Sequence, residues 1–263
     1  MSVHSISEIF PPCWPVSGVS SIAAHPELEL SCPVNTTLVD GSCYVEWDGF
    51  GNMLTQHDKL WVEEDDNTYK CKSKDQGQSS PAYIRGNAYC CSEIPTTCHW
   101  IRNSTSPYNY GSTVATCAAN ETAVSGGCTS YDWTHGALLY ADYNDGDSHH
   151  CSAKSHGTVE SFSLNASALC CEDEDIGTCY SYTSTSNTSS NPHASVMCGS
   201  GEVAFGGGCK VNPSVSGGIP NALLTANDII YEHGVAVGRY CESKDHLTSY
   251  SHNVTAQVTC CPE

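Results

Sequence analysis

Ala88-Tyr89-Cys90-Cys91 returns as Ala168-Leu169-Cys170-Cys171 and again as Val258-Thr259-Cys260-Cys261, and each doublet closes the same frame of six cysteines. The first frame runs Cys13, Cys32, Cys43, Cys71, Cys90, Cys91; the second Cys98, Cys117, Cys128, Cys151, Cys170, Cys171; the third Cys179, Cys198, Cys209, Cys241, Cys260, Cys261. From first to second cysteine the step is 19 in every copy, from second to third 11, and from fourth to fifth 19, whereas from third to fourth it is 28, 23 and 32. All 18 cysteines fall in the frame, so the chain is a threefold repeat.

Neighbouring residues on a strand point to opposite faces, so the two members of a doublet are expected to bond different partners. Stretches of unvarying length read as paired strands, in which an insertion would turn every side chain to the wrong face. The variable third-to-fourth interval must hold a surface loop. Spacing alone leaves the pairing of the six cysteines open. The repeat divides the chain into an arm at 1–12 and modules at 13–94, 95–175 and 176–263. Units of that size build only a marginal core and call for cross-links, which form in an oxidising compartment.

The residues between the cysteines describe strands. Glu27-Leu28-Glu29-Leu30 alternates charged and apolar residues with a period of two. Val39, Val124 and Phe205 stand four residues ahead of the third cysteine, and Gly41, Gly126 and Gly207 two ahead, which predicts a buried strand position followed by a bulge or tight turn. In the closing strand Ile84, Leu164 and Val254 sit six before the doublet and Ala88, Ala168 and Val258 two before it. No stretch keeps a helical period. The expected fold is all-β: three tandem disulfide-stapled modules.

The six-cysteine unit ending in Cys-Cys, the glycines beside the third cysteine (Ser125-Gly126-Gly127-Cys128 and Phe205-Gly206-Gly207-Gly208-Cys209) and three tandem copies in a histidine-rich chain resemble the C-terminal Cys/His-rich domain of the proprotein convertase subtilisin/kexin type 9. The resemblance spans Cys13 to Cys261 and rests on the cysteine frame rather than on other residues. It implies small β-sandwiches packed about a pseudo-threefold axis. It also implies nested disulfides: Cys13 with Cys91, Cys32 with Cys90 and Cys43 with Cys71; Cys98 with Cys171, Cys117 with Cys170 and Cys128 with Cys151; Cys179 with Cys261, Cys198 with Cys260 and Cys209 with Cys241. A subtilisin-like catalytic domain is absent and the chain is strongly acidic, so shared architecture does not carry over the convertase's receptor-regulating role.

Ten Lys and Arg stand against 29 Asp and Glu, a net charge of −19 with 12 His uncounted. That balance argues against nucleic acid and anionic membrane surfaces as partners and leaves cations, basic protein patches and neutral glycans, or simply a solvated acidic surface that keeps a secreted protein soluble. No apolar run is long enough for membrane insertion. Six Asn-x-Ser/Thr sequons (Asn35, Asn103, Asn120, Asn165, Asn187, Asn253) agree with secretion. Met1 to Pro12 has no apolar run of a signal peptide, so a mature or excised segment of a secreted protein is expected.

Candidate sites are fewer. Asp142-Tyr-Asn-Asp145-Gly-Asp147-Ser-His149-His150 gathers carboxylates and imidazoles in the variable interval of the second copy, with His156 nearby. Asp145, Asp147, His149 and His150 are the candidate metal ligands or members of a solvated turn, the oxygens suiting calcium and the nitrogens zinc or copper, though the spacing is not that of an EF-hand. Glu63-Glu64-Asp65-Asp66 is a solvated acidic run or a loose calcium contact. Trp47 and Trp133, with Asp48 and His135 close by, are candidates for stacking on a sugar or for packing on a disulfide. Lys74, Lys154 and Lys244 fall three residues after the fourth cysteine of each copy, as strand-end lysines or as a repeated anion contact. The sequence has no Gly-x-Ser-x-Gly, His-Glu-x-x-His or phosphate loop, and the frame leaves no thiol nucleophile, so no catalysis and no obligate cofactor are expected. The sequence therefore reads as a secreted glycoprotein that binds an extracellular protein or glycan. The alternatives are an acidic matrix or mineral-associated protein binding divalent cations, and a lectin.

Overall fold

A computed structural model describes residues 12–46, 53–59, 67–74, 81–107, 109–131, 137–155, 161–212, 222–245 and 251–262. The first copy supplies β1 (Cys13–Val19), β2 (Glu27–Ser31), β3 (Thr37–Glu46), β4 (Met53–Lys59), β5 (Thr68–Lys74) and β6 (Tyr83–Cys91). The second supplies β7 (His99–Thr105), β8 (Tyr110–Thr116), β9 (Glu121–Tyr131), β10 (Leu138–Asp145), β11 (Ser148–Lys154) and β12 (Ser163–Glu172), and a single turn of helix, α1 (Asp173–Ile176), leads out of it. The third supplies β13 (Tyr180–Thr185), β14 (His193–Met197), β15 (Glu202–Asn212), β16 (Ala222–Glu232), β17 (Val235–Asp245) and β18 (Asn253–Pro262).

Each copy splits its strands the same way. Its first, sixth and third strands pair into one half-sheet and its second, fifth and fourth into another. The half-sheets then join across copies. The three sheets have the orders β1-β6-β3-β16-β17-β14, β13-β18-β15-β10-β11-β8 and β2-β5-β4-β9-β12-β7. Every sheet is therefore half one copy and half another, and the three copies close cyclically.

The joints are short. Tyr44 and Cys43 meet Ala226 and Asn227, Lys210 and Cys209 meet Ala141 and Asp142, and Thr129 and Cys128 meet Gln56 and His57. At each joint a third cysteine lies opposite a fourth-strand residue: Cys43 opposite Asn227, Cys128 opposite His57, Cys209 opposite Asp142. This brings the three fourth strands together at the centre, where Met53, Leu138 and Leu223 pack on one another as a small cluster apart from the main core.

The local readings translate directly. In β2, Leu28 and Leu30 are buried and Glu27, Glu29 and Ser31 exposed. Val39, Val124 and Phe205 are buried, and the register slips at these residues rather than at the glycines that follow. Gly41 and Gly126 stay in the strand because the rings of Tyr69 and His149 lie where a Cβ would stand. Asn35, Asn120 and Gly201 hold equivalent left-handed positions (φ 64°, 70° and 80°) three residues after the second cysteine, inside turns closed by Thr36 N to Pro33 O, Glu121 N to Ala118 O and Glu202 N to Gly199 O.

The nine disulfides are nested: Cys13–Cys91, Cys32–Cys90, Cys43–Cys71, and likewise in the other copies. The outer bond ties strands already paired, since Cys13 faces Cys91 in register. The inner bond ties facing sheets, since Cys43 lies on β3 and Cys71 on β5. Each type stabilises by about 2–4 kcal/mol, and closing a longer loop contributes more if chain entropy dominates. Opening Cys43–Cys71 by a double alanine substitution is expected to lower the denaturant midpoint more than opening Cys13–Cys91, despite sequence separations of 28 against 78. The reverse order would show that loop closure, not sheet-to-sheet anchoring, sets the contribution.

Candidate functional site

The stretch from Asp142 to His150 is a strand, a tight turn and a strand rather than a loop. β10 and β11 pair down to Asp145 opposite Ser148, with Gly146 at φ 62° and Asp147 between them. Alternation then separates the candidate ligands. Asp145 and Asp147 are exposed at the tip, His149 is fully buried, and His150 is half-buried on the opposite face, its ring stacked on Tyr143 at 5.1 Å. The four residues do not share a face. Trp47, Trp133, Asp48, His135, His156 and the run Glu63 to Asp66 lie outside the described residues.

What the structure brings together instead is a polar cluster at the centre, with one member at the same place in each copy. His57, Asp142 and Asn227 are the fourth-strand residues opposite the third cysteines, and Tyr69, His149 and Arg239 stand two before the fourth. All six are buried, and Arg239 is among the bulkiest side chains fully out of solvent.

Asp142 is the hub. Its Oδ1 lies 2.7 Å from His149 Nε2 and its Oδ2 2.7 Å from His57 Nδ1, and Asn227 Nδ2 donates to the same Oδ2 at 3.0 Å. Arg239 completes the ring. Its Nε donates to Asn227 Oδ1 at 2.6 Å, its Nη1 pairs with Asp40 Oδ2 at 2.6 Å, and its Nη2 reaches Gly41 O at 3.3 Å and His57 Nε2 at 3.2 Å. Ser125 Oγ donates to the other Asp40 oxygen at 2.8 Å, so Asp40 of the first copy is held by the second and the third.

Guanidinium nitrogens only donate, so His57 Nε2 must accept and its Nδ1 carries the proton that faces Asp142. His149 also places Nδ1 2.6 Å from Asn144 Oδ1. His149 is thus held between Asn144 on one side and Asp142 on the other.

Burial disfavours the ionised Asp142, yet His57 and His149 outweigh it and hold its carboxyl far below the usual carboxylate range. Asp58 is the opposite case: burial pushes its carboxyl up, against hydrogen bonds from Ser167 and from Thr129 at 2.9 Å. Those hydroxyls belong to the second copy, so Asp58 is another bridge between copies.

The cluster has carboxylates and imidazoles at the distances of acid–base machinery, with its side chains closed off from the surface. Asp142 itself stands between the two imidazoles. Cys128 and Cys151 lie near Asp142 and His149, but they are bonded to each other and offer no thiolate. The same holds for Cys117 and Cys170 beside Glu121.

The repeated lysines end β5 and β11 and stand one before the end of β17, which are interior strands of their sheets, so they blunt no edge. Lys74 and Lys244 are buried and Lys154 half-buried, each across from a member of the Met53, Leu138 and Leu223 cluster. Burial lowers the Lys154 amine and brings that of Lys244 down to about 8.

No protein-family model matches the chain, and a search of curated proteins finds no significant relative. Fold and site define a closed, disulfide-stapled all-β protein with a sealed ionic centre.

Asp142→Asn keeps the shape and removes the charge that His57, His149 and Arg239 were arranged around. It is expected to cost about 3–5 kcal/mol at neutral pH, the range for breaking a buried pair from one side. A carboxyl whose folded value is depressed contributes stability above its unfolded value of about 4 and loses it as pH falls further. Denaturant midpoints from pH 6 down to pH 2 should therefore fall less steeply for D142N than for the native chain below about pH 4. A parallel fall would show that other carboxylates set the acid limb.

Proposed function

We propose that the chain is a secreted, non-catalytic module that binds an extracellular protein through its outer faces and loops. The observation that carries this reading is where the chemistry sits: the closely paired carboxylates and imidazoles of the Asp142 cluster are buried at the centre, and all described cysteines are bonded. Length variation supports it too. From the third cysteine to the central residue the copies span 14, 14 and 18 residues, and from there to the fourth cysteine 14, 9 and 14. The connections change while the frame does not, as in scaffolds that carry recognition on loops.

Nine disulfides fit an extracellular setting, and among the described residues no helix is long and apolar enough to cross a membrane. Kinship with the convertase C-terminal domain belongs to the same proposal. It is supported by the nested pairing and the cyclic packing of three copies.

Two measurements test the reading. Photo-crosslinkers placed at Asp145 and at His233 of the β16–β17 turn are expected to trap one discrete extracellular protein from native fluid. Only self-adducts, or none, would sink the interaction reading. Glycopeptide mapping of secreted material is expected to find sugar at Asn35, Asn120 and Asn187, which are exposed, and none at Asn165, which is 3 % exposed and accepts from Ser104 at 2.6 Å. Asn103 is exposed but donates to Val114 O, and Asn253 is half-buried against Asn212, so lower occupancy is expected at both. An occupied Asn165 would contradict the β7–β12 packing.

A further inference from the structure

The pseudo-threefold repeat allows one outer face to be compared with its two counterparts. In the sheet β2-β5-β4-β9-β12-β7 the corresponding row at the joint is Thr129, Gln56, Lys72 and Glu27, with Lys70 alongside, and its first two members are buried. That face closes its charges internally: Lys72 pairs with Glu27 at 2.9 Å, and Lys70 with Glu27 at 3.2 Å and with Glu29. The row in the sheet β13-β18-β15-β10-β11-β8 is Lys210, Ala141, Ser152 and Ser112, with Lys210 over the ring of Tyr143 at 5.1 Å.

The sheet β1-β6-β3-β16-β17-β14 differs. Its row is Tyr44, Ala226, Glu242 and His193, with Tyr240 alongside. The neighbours of these residues along the strands, Cys43, Asn227, Cys241 and Ala194, are buried, so the row faces outward. Tyr44, Tyr240 and Glu242 are half-exposed and His193 exposed, while Ala226 forms a floor. Tyr44 and Tyr240 stack at 6.2 Å and 28°, and Tyr240 and His193 at 6.2 Å and 26°. Both tyrosine hydroxyls donate to Glu242 Oε2, at 3.2 and 3.0 Å. Among the described residues no lysine, arginine or histidine forms an ion pair with Glu242.

Where the counterpart face places a lysine and neutralises it, this face places a carboxylate and leaves it without a cation. The two phenolic protons are committed to Glu242, so the strip presents a carboxylate framed by aromatic rings. A group that donates hydrogen bonds and carries positive charge matches that carboxylate. The chain supplies its own precedent at the strip's edge. The Arg85 guanidinium lies 4.2 Å over the Tyr44 ring and pairs with Glu46 at 3.3 Å. Net charge points the same way, −19 drawing basic partners.

We propose that the strip of Tyr44, Tyr240, His193 and Glu242 is the docking site for an arginine or lysine side chain of a basic protein segment. This rests on the interaction-module reading and gives it a partner chemistry. Burial and the nearby Glu242 charge raise both phenols, Tyr44 to about 12, so the tyrosines stay neutral rings and acceptors throughout the physiological range.

The test is fluorescence anisotropy with a labelled peptide of alternating arginine and glycine, titrated with the full chain at physiological ionic strength. Glu242→Gln and Tyr240→Leu are each expected to weaken binding about tenfold, while Asp145→Asn, the same charge change at the exposed β10–β11 tip, alters it less than about twofold. Unchanged melting midpoints would establish that the variants fold.

Equal losses in E242Q and D145N would overturn the site, leaving only a diffuse acidic field. Binding indifferent to Y240L would overturn it as well. So would a glycan array on which the native chain binds a neutral sugar and Y240L does not. The module reading is judged apart from these results, because the crosslinkers sit away from the strip.

Discussion

The Asp142 carboxylate, taken out of water and held between two imidazoles and an amide, is the contact on which closure of the three copies depends. Its partners come from all three: His57 from the first, His149 from its own, Asn227 from the third. Two hydrogen-bonded residue pairs at each joint would not by themselves dictate how six strands line up across a copy boundary. The polar centre does so, because any slip in register would strand a buried charge at a cost of several kcal/mol. An apolar centre could be as stable, but it would tolerate sliding in a way that paired, directional groups do not.

A pseudo-threefold axis also explains the composition of that centre. Three identical residues at one level would meet their own likeness: three carboxylates repel, and three amides or imidazoles cannot each find a donor and an acceptor. Divergence to His, Asp and Asn at one position and to Tyr, His and Arg at the other makes the levels complementary, and Arg239 with Asp40 completes the neutralisation. The copies thus differ chemically where they meet. Their shared residues, cysteines and glycines, build the frame around that point.

The frame was legible in the sequence because it is written as identity: constant spacings gave the repeat, alternation gave strands such as Glu27–Ser31, and the bulge position was one or two residues off only because a glycine drew attention from the apolar residue before it. The centre was not legible by the same logic. His149 and Asp142 fell in an acidic, Gly-containing stretch that read as a loop, because Asp142 to His150 holds one large apolar residue, Tyr143, and shows no apolar–polar alternation. His57, Asn227 and Arg239 drew no notice, because comparing copies for what they share passes over positions where they differ. The usable signal was a position inside a strand that is polar in all three copies and different in each.

Cyclic sharing of the sheets has one more consequence. A solenoid has a first and a last repeat and lengthens by adding another, since each contacts only its neighbours. Here every half-sheet already has its partner, and the third copy closes back on the first through β16 and β3. Copy number is therefore fixed by geometry. Duplication of a copy would open the ring and leave a sheet edge and half of the polar centre exposed, so a protein of this architecture can diversify in its connections and outer faces but not in its count of modules.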